Sequence, residues 1–417
     1  MLDELTQLVG EGTPVAARMF IDGRWLAGPS EVHQVENPAD ESMIATTPAG
    51  SAAQAQEALA AARRAQVGWA RKPAIERAQA VSALADQVRV HAGLLARIVV
   101  AEQGKPLDQA EGEVAATETF LRYAAQEARR IEGEIIPSDA PDEEIQIRRL
   151  PHGVVVGLTA WNYPLALAAR KLGPALVAGN TFVLKGHEFT PLSGLALAAL
   201  AEAAGLPAGV FNVVTGDGRT LGRALVDGAD MVTMTGSTRA GREIYAAGAE
   251  RIKVLRLELG GKAPFIVMED ADIDRAVFAA VAARFANCGQ ICTCNERMYL
   301  HRAIADEFLD KFAQRTRALR VGMPLDNPDI GPKVSRAEVD KVEAITSASI
   351  EAGAQVILRG GPLREGAFAK GHWMAPTLLR ARDHDLPAMR EEVFGPVAVA
   401  MAVDDFDQAL ALANDSP

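Results

Sequence analysis

Residues 153–185 read GVVVGLTAWNYPLALAARKLGPALVAGNTFVLK. Val154–Leu158 and Thr181–Leu184 are short apolar runs. Between them lie a turn and a stretch that Pro164 is suited to open as a helix, since its fixed φ fits a first helical position. An apolar run, a helix and a second apolar run spell strand, helix and parallel strand. The stretch 153–169 carries no charge, yet it is too short to span a bilayer and it contains Asn162, Tyr163 and Pro164.

Downstream the pattern repeats. Apolar runs at Val210–Val214, Met231–Met234 and Val254–Leu257 alternate with helical stretches of ordinary length, which predicts a doubly wound parallel sheet of Rossmann type. A second cycle starts at Pro264–Met268, passes through a helix over Asp272–Asn287 and runs to the end, predicting a second α/β domain. Upstream, residues 52–66, 74–103 and 107–130 are Ala-rich with helical spacing. Met19–Ile21 and Trp25 form a strand pair turned at Asp22-Gly23. Residues 133–150 change character, with Pro137, Pro141, an acidic run and an alternating Ile145-Gln146-Ile147-Arg148, and read as an exposed hairpin. The expected division is 1–132 with 151–257, the hairpin 133–150, and 258–417.

At 417 residues the chain suits two or three domains. A net charge of −11 opposes binding to a phosphate backbone, so nucleic acid is not an expected partner. Local Arg or Lys still leaves room for a small anionic substrate. The start, Met1 to Val9, carries Asp3 and Glu4 and lacks the basic, then apolar pattern of an export signal. The three cysteines sit at 288, 292 and 294. That is no disulfide framework, and it fits a reducing cytoplasm.

Phe285-Ala286-Asn287-Cys288-Gly289-Gln290-Ile291-Cys292 ends a helix at a glycine and presents a thiol in the loop after it. Backbone amides there can stabilise a thiolate nucleophile, whereas a free cysteine elsewhere is commonly inert and buried. Three thiols without a nearby histidine make a poor metal set, and no metal is expected. Glu258, between two leucines at a strand end, reads as a partly desolvated carboxylate, which strengthens it as a base. A salt bridge to Lys253 or Lys262 is the alternative. Asn162 can donate to an oxyanion or simply cap the helix beginning at Pro164. Gly216-Asp217-Gly218-Arg219-Thr220-Leu221-Gly222 is a loose dinucleotide fingerprint. Thr235-Gly236-Ser237-Thr238 is better placed for pyrophosphate, at a strand-to-helix junction.

Taken together, Trp161-Asn162-Tyr163-Pro164, Lys185 to Glu188, Thr235 to Thr238, Glu258-Leu259-Gly260-Gly261-Lys262, Gly289 to Cys292 and Glu391-Glu392-Val393-Phe394-Gly395-Pro396 resemble the aldehyde dehydrogenase superfamily, from about Met19 onward. Gly133 to Ile136 and Cys292-Thr293-Cys294 look most like its lactaldehyde and glycolaldehyde branch, with succinate-semialdehyde enzymes next. The resemblance implies an NAD-binding domain over 1–132 and 151–257, an oligomerisation hairpin and a catalytic domain from 258. It implies Cys292 as nucleophile, Asn162 as oxyanion donor, Glu258 as base for water and Lys171 as a proton relay. NAD rather than NADP would be held by Thr159, Ala160, Trp161, Lys185, Glu188, Gly218, Gly222, Thr235, Gly236, Ser237, Leu259, Glu392 and Phe394. Arg170 and Tyr163 would face the substrate, an arginine near a buried centre needing either a substrate group or a salt bridge. A homodimer or homotetramer is implied.

Two departures stand out: Gly186-His187 between Lys185 and Glu188, and a stop at Pro417 where relatives continue through the catalytic domain. A coenzyme-A acylating enzyme is the alternative chemistry, disfavoured by Glu258. A nucleotide-binding relic without catalysis is the alternative class.

Overall fold

The computed structural model describes residues 2–28 and 31–416; Met1, Pro29, Ser30 and Pro417 lie outside the described residues. The described chain divides into two units, one of residues 1–36, 43–102 and 111–259, the other of residues 37–42, 103–110 and 260–417.

In the first unit the strands are β1 (Met19–Ile21), β2 (Arg24–Leu26), β3 (Val154–Leu158), β4 (Thr181–Lys185), β5 (Phe211–Val214), β6 (Met231–Thr235) and β7 (Val254–Glu258). Their order is β7-β6-β3-β4-β5-β1-β2. The five from β7 to β5 run parallel, and β1 joins β5 antiparallel with Val213 opposite Phe20. Asp22 and Gly23, at φ 55° and 70°, make the tight turn between β1 and β2. The helices are α1 (Ala52–Arg71), α2 (Pro164–Val177), α3 (Leu192–Ala203), α4 (Gly218–Gly228) and α5 (Thr238–Ala249).

Strands β4 and β5 are buried along their whole length, as a parallel sheet covered on both faces requires. Val154, Val156 and Val183 share one core with Ala55, Ala58 and Ala62 of α1, whose small side chains let the helix lie close. Gly157 serves the sheet in the same way, because a Cβ there would sit 2.2 Å from Cζ of Phe182.

The second unit holds β8 (Pro264–Val267), β9 (Arg297–His301), β10 (Gln355–Leu358), β11 (Thr377–Ala381) and β12 (Val397–Val403), ordered β8-β9-β12-β11-β10. All pairs are parallel except β10 with β11. Helix α6 (Ile273–Phe285) contributes Val277, Ala280, Val281 and Phe285 to a core with Met298, Leu300, Phe308 and Phe312.

Several boundaries differ from the sequence reading. The stretch 74–103 is two helices, Ala74–Val90 and Ala92–Gln103, because His91 leaves the helical region (φ −100°, ψ 17°) and closes the first. The helix expected to reach Arg130 ends at Gln126 and tightens into a 3-10 turn. The one expected over Asp272–Asn287 is shorter at both ends: Asp272 caps it through the Arg275 N–H, and α6 stops at Phe285. Residues 37–42 and 103–110 belong to the second unit although the sequence reading placed them in the first domain. Their hydrogen bonds explain this: Pro38 accepts from the His372 N–H, and Gln109 from the Asn287 N–H. Glu258 and Leu259 close the first unit instead of opening the second.

The expected hairpin pairs Glu134–Pro137 with Glu144–Ile147, and all eight residues are exposed. Among the described residues no helix is long and apolar enough to cross a membrane.

Candidate active site

Beyond α6, three consecutive residues turn left-handed: Asn287 (φ 49°), Cys288 (φ 58°) and Gly289 (φ 72°). For the two non-glycine residues this conformation costs roughly 1–2 kcal/mol each, so neighbours must enforce it. Gln290 supplies much of the enforcement. Its amide nitrogen donates to Asn287 O (3.0 Å) and its carbonyl accepts from the Val334 N–H (3.1 Å). Arg284 adds a bond to Gly289 O at 3.3 Å. The loop then makes a turn, Cys294 N–H to Ile291 O, that carries Cys292.

This geometry sorts the three thiols. Cys292 is exposed, while Cys288 and Cys294 are buried. Burial pushes the Cys288 thiol up to about 12 and raises that of Cys294, so neither forms a thiolate near neutral pH.

Behind the loop lies a feature the sequence reading missed. Glu296, 2% exposed, accepts from Lys262 Nζ (2.7 Å) and from the N–H groups of Val393 and Phe394 (both 3.1 Å), with Arg284 Nη1 at 3.0 Å. Burial opposes its charge, but Arg284 and Lys262 hold the carboxyl down at about 2. Its sequence signal was only a charge immediately before the buried strand β9. Nearby, Glu392 accepts from the Gly261 N–H (3.0 Å), and a Cβ on Gly260 would meet that carboxylate at 2.2 Å. Burial raises the Glu392 carboxyl above its ordinary range.

In the first unit, α2 begins at Pro164 with Tyr163 in the cap position, and Tyr163 makes no side-chain cap bond. The N–H groups of Leu165 and Ala166 donate instead to the buried carboxylate of Glu113, at 2.9 and 3.2 Å. The capping role left open for Asn162 thus belongs to Glu113. Asn162 is buried, as is Trp161, while Tyr163 is half-buried.

Seven residues further along, Lys171 donates through Nζ to Thr235 Oγ1 at 2.8 Å. Thr235 lies opposite Glu258 in the β6–β7 register. Burial brings Lys171 down to about 8, against the pull of Glu258. Glu258 itself is exposed, so the desolvation read from its flanking leucines is absent: β7 is an edge strand, and its last residue points outward. Neither lysine offered as its salt-bridge partner takes that part. Lys262 binds Glu296, and Lys253 donates to Asp227 O at 2.9 Å and to Ala229 O.

At the carboxyl end of β4, Lys185 Nζ donates to Glu188 at 3.1 Å, with His187 Nδ1 3.7 Å from the same oxygen. Burial works against the Glu188 charge, yet His187 and Lys185 hold its carboxyl below the usual range. Gly218 opens α4 with room for a Cβ only 3.7 Å from Lys185 Nζ, and at Gly222 a Cβ would meet nothing. Ser237 caps α5 through the Ala240 N–H (3.2 Å), and Gly236 N–H donates to Glu258 O (3.0 Å). Leu259 packs against Gly241 of that helix. Thr159, at the end of β3, is buried and Ala160 half-buried. Arg170 is exposed and lies over Phe120, 5.7 Å from the ring centroid, so it bears none of the desolvation cost expected of it.

Residues 25–417 match the model of the aldehyde dehydrogenase family. The chain belongs to that family. Its members act as oxidoreductases on aldehydes and use NAD or NADP. The chain is 46% identical over 403 residues to 3,6-anhydro-alpha-L-galactose dehydrogenase of Vibrio sp. (strain EJY3), covering 96% of this chain and 84% of that one. It is 42% identical over 408 residues to lactaldehyde dehydrogenase of Escherichia coli (strain K12), covering 97% and 84%. A crystal structure of lactaldehyde dehydrogenase from Escherichia coli superimposes with a TM-score of 0.93 over 96% of this chain and 84% of that one.

The Lys171 environment has a measurable signature. An ordinary lysine titrates at 10.5, and burial has lowered this one to about 8. Between those values the unfolded chain binds more protons than the native one, so this group makes stability rise with pH across the window. The stability difference between wild type and Lys171→Met, from urea melts at about pH 7 and about pH 10, is expected to shift in favour of wild type as pH rises. Parallel pH curves would remove the buried ammonium from the site.

Proposed function

We propose that this chain oxidises a small hydroxy- or carboxy-substituted aldehyde to the acid with NAD. The observation that carries this reading is the thiol loop, in which Cys292 alone of the three cysteines is exposed. The Cys292 thiolate attacks the aldehyde carbon, forming a C–S bond while the carbonyl electron pair moves to oxygen. The Asn162 amide and the Cys292 N–H hold that oxyanion. Loss of hydride from the carbon leaves a thioester. Glu258 then takes a proton from water, the water oxygen adds to the acyl carbon, the C–S bond breaks and the acid departs. Lys171 relays protons through Thr235.

NAD, when bound, supplies the hydride acceptor. Its ribose suits the Lys185–Glu188 pair, and its pyrophosphate suits the start of α5 at Thr235, Gly236 and Ser237, with Gly218 and Gly222 leaving space. Thr159, Ala160, Trp161 and Leu259 line its path, and Glu392 with Phe394 meets its nicotinamide end. Glu188 favours NAD, since a carboxylate accepts from ribose hydroxyls and repels a further phosphate. Arg170, exposed on α2, is the group offered to a hydroxyl or carboxylate on the substrate, with Tyr163 beside it in sequence. The exposed Ile135, Ile145 and Ile147 of the hairpin suit burial between subunits of a homodimer or homotetramer.

A panel of short aldehydes, with and without coenzyme A, tests the chemistry. Cys292→Ala is expected to abolish NADH formation, while Cys288→Ala and Cys294→Ala keep most of it. Glu258→Gln is expected to give an NADH burst and then turn over roughly 10²–10⁴-fold more slowly, the usual worth of a general base. Activity surviving in Cys292→Ala, or wild-type turnover in Glu258→Gln, would sink the assigned roles.

Cofactor choice is read from kcat/KM for NAD against NADP. Wild type is expected to prefer NAD, and Glu188→Gln to narrow the gap by about tenfold, as loss of one charged contact implies. Equal wild-type efficiency with both would show that Glu188 does not set the choice.

Substrate class is read from Arg170→Leu. It is expected to lose about one to two decades of kcat/KM with lactaldehyde, glycolaldehyde or succinate semialdehyde, and little with propanal. A uniform loss across all four would make Arg170 structural, its place over Phe120 being the reason.

A further inference from the structure

Phe394, a bulky aromatic residue, is left-handed at φ 54°. Its peptide groups are seized from both sides. The N–H donates to Glu296 Oε1 at 3.1 Å, and the carbonyl accepts from Lys333 Nζ. Two ammonium groups lie over the ring, Lys333 Nζ 5.8 Å and Lys341 Nζ 5.9 Å from its centroid.

Both clamping side chains are themselves immobilised. Glu296 sits in the ion cluster with Lys262 and Arg284. Lys333 is wholly buried, its own N–H bonded to His372 O at 2.8 Å. The next residue, Val334, donates to Gln290, which holds Asn287 of the thiol loop. One short segment therefore braces both the thiol loop and the loop of Phe394. Burying two charges is expensive, and apolar residues would fill the space more cheaply. What the charges supply is direction: an anion that only accepts, aimed at N–H groups, and an amine that donates, aimed at a carbonyl.

We propose that Glu296 and Lys333 are positioning residues that hold Phe394 in its left-handed conformation and so set the nicotinamide end of the cofactor site. The proposal rests on the reading of Glu392 to Phe394 as that end of the site. Neither side chain touches reacting atoms; they act through the peptide groups of Phe394.

The test uses the full chain with glycolaldehyde and NAD. K333M is expected to raise KM for NAD about tenfold, the scale of one lost charged hydrogen bond, and to slow single-turnover NADH formation. Alkylation of Cys292 by iodoacetamide without NAD should stay close to the wild-type rate. K333R and K333Q, which keep an N–H donor, should recover most of the loss. Wild-type KM and single-turnover rate in a folded K333M would overturn the clamp and leave the chemistry standing. If wild type yields no NADH from any aldehyde, the chemistry has failed, and NAD affinity by calorimetry then decides the clamp alone: equal affinity in wild type and K333M overturns it. If K333M does not fold, adding F394G should restore folding, because glycine adopts this φ unaided. A double variant that stays unfolded would also overturn the clamp.

Discussion

The second unit is organised around one buried carboxylate. Glu296 is withdrawn from water and repaid by four donors from three separate stretches of chain: Lys262 after β7, Arg284 on α6, and the N–H groups of Val393 and Phe394. Desolvating a lone ion costs several kcal/mol, so such a group persists only where every lone pair is met. Arg284, holding Glu296, is left with Nη2 to bind Gly289 O and Gly395 O, and thereby ties the thiol loop to the loop of Phe394. The left-handed backbone at Asn287, Cys288 and Phe394 is local strain set against this network.

The first unit uses carboxylates differently. Glu113 takes the first N–H groups of α2, and Glu102 does the same for α3 through Leu192 and Ser193. Each places a distant acidic side chain where a local Ser or Asp would ordinarily cap. The start of α2, next to Asn162, is therefore fixed by a residue some fifty positions upstream. Burial raises the Glu102 carboxyl to about 8 despite its bonds to Ser193 and Leu192.

What the sequence made legible follows from the range of the forces involved. Strands β3 to β5 announce themselves because a doubly covered parallel strand is buried along its length, and Asp22-Gly23 announces a hairpin because few residue pairs accept its backbone. The thiol loop was placed by its glycine and the helix before it. The failures are partly local and partly a matter of partners far apart in the chain. Glu258 looked desolvated between two leucines, but alternation on an edge strand turned it outward. Of the two roles open to Asn162, the cap at the start of α2 is supplied from a distance by Glu113. His91 gave no warning of splitting a helix, since histidine is tolerated there. Glu296, Arg284 and Lys333 carry no motif individually, and only the fold reveals that they share one cluster.

The sorting of the cysteines also bears on oxidative damage. Among the cysteines, a peroxide reaching the chain meets one accessible thiol, that of Cys292, whose oxidation first gives a sulfenic acid. That species is rescued most readily by a second thiolate able to close a disulfide. Cys294 lies only two residues away, yet burial raises its thiol, as it does that of Cys288. The fold thus offers no resolving partner among its own thiols, and repair falls to small-molecule thiols arriving from solvent.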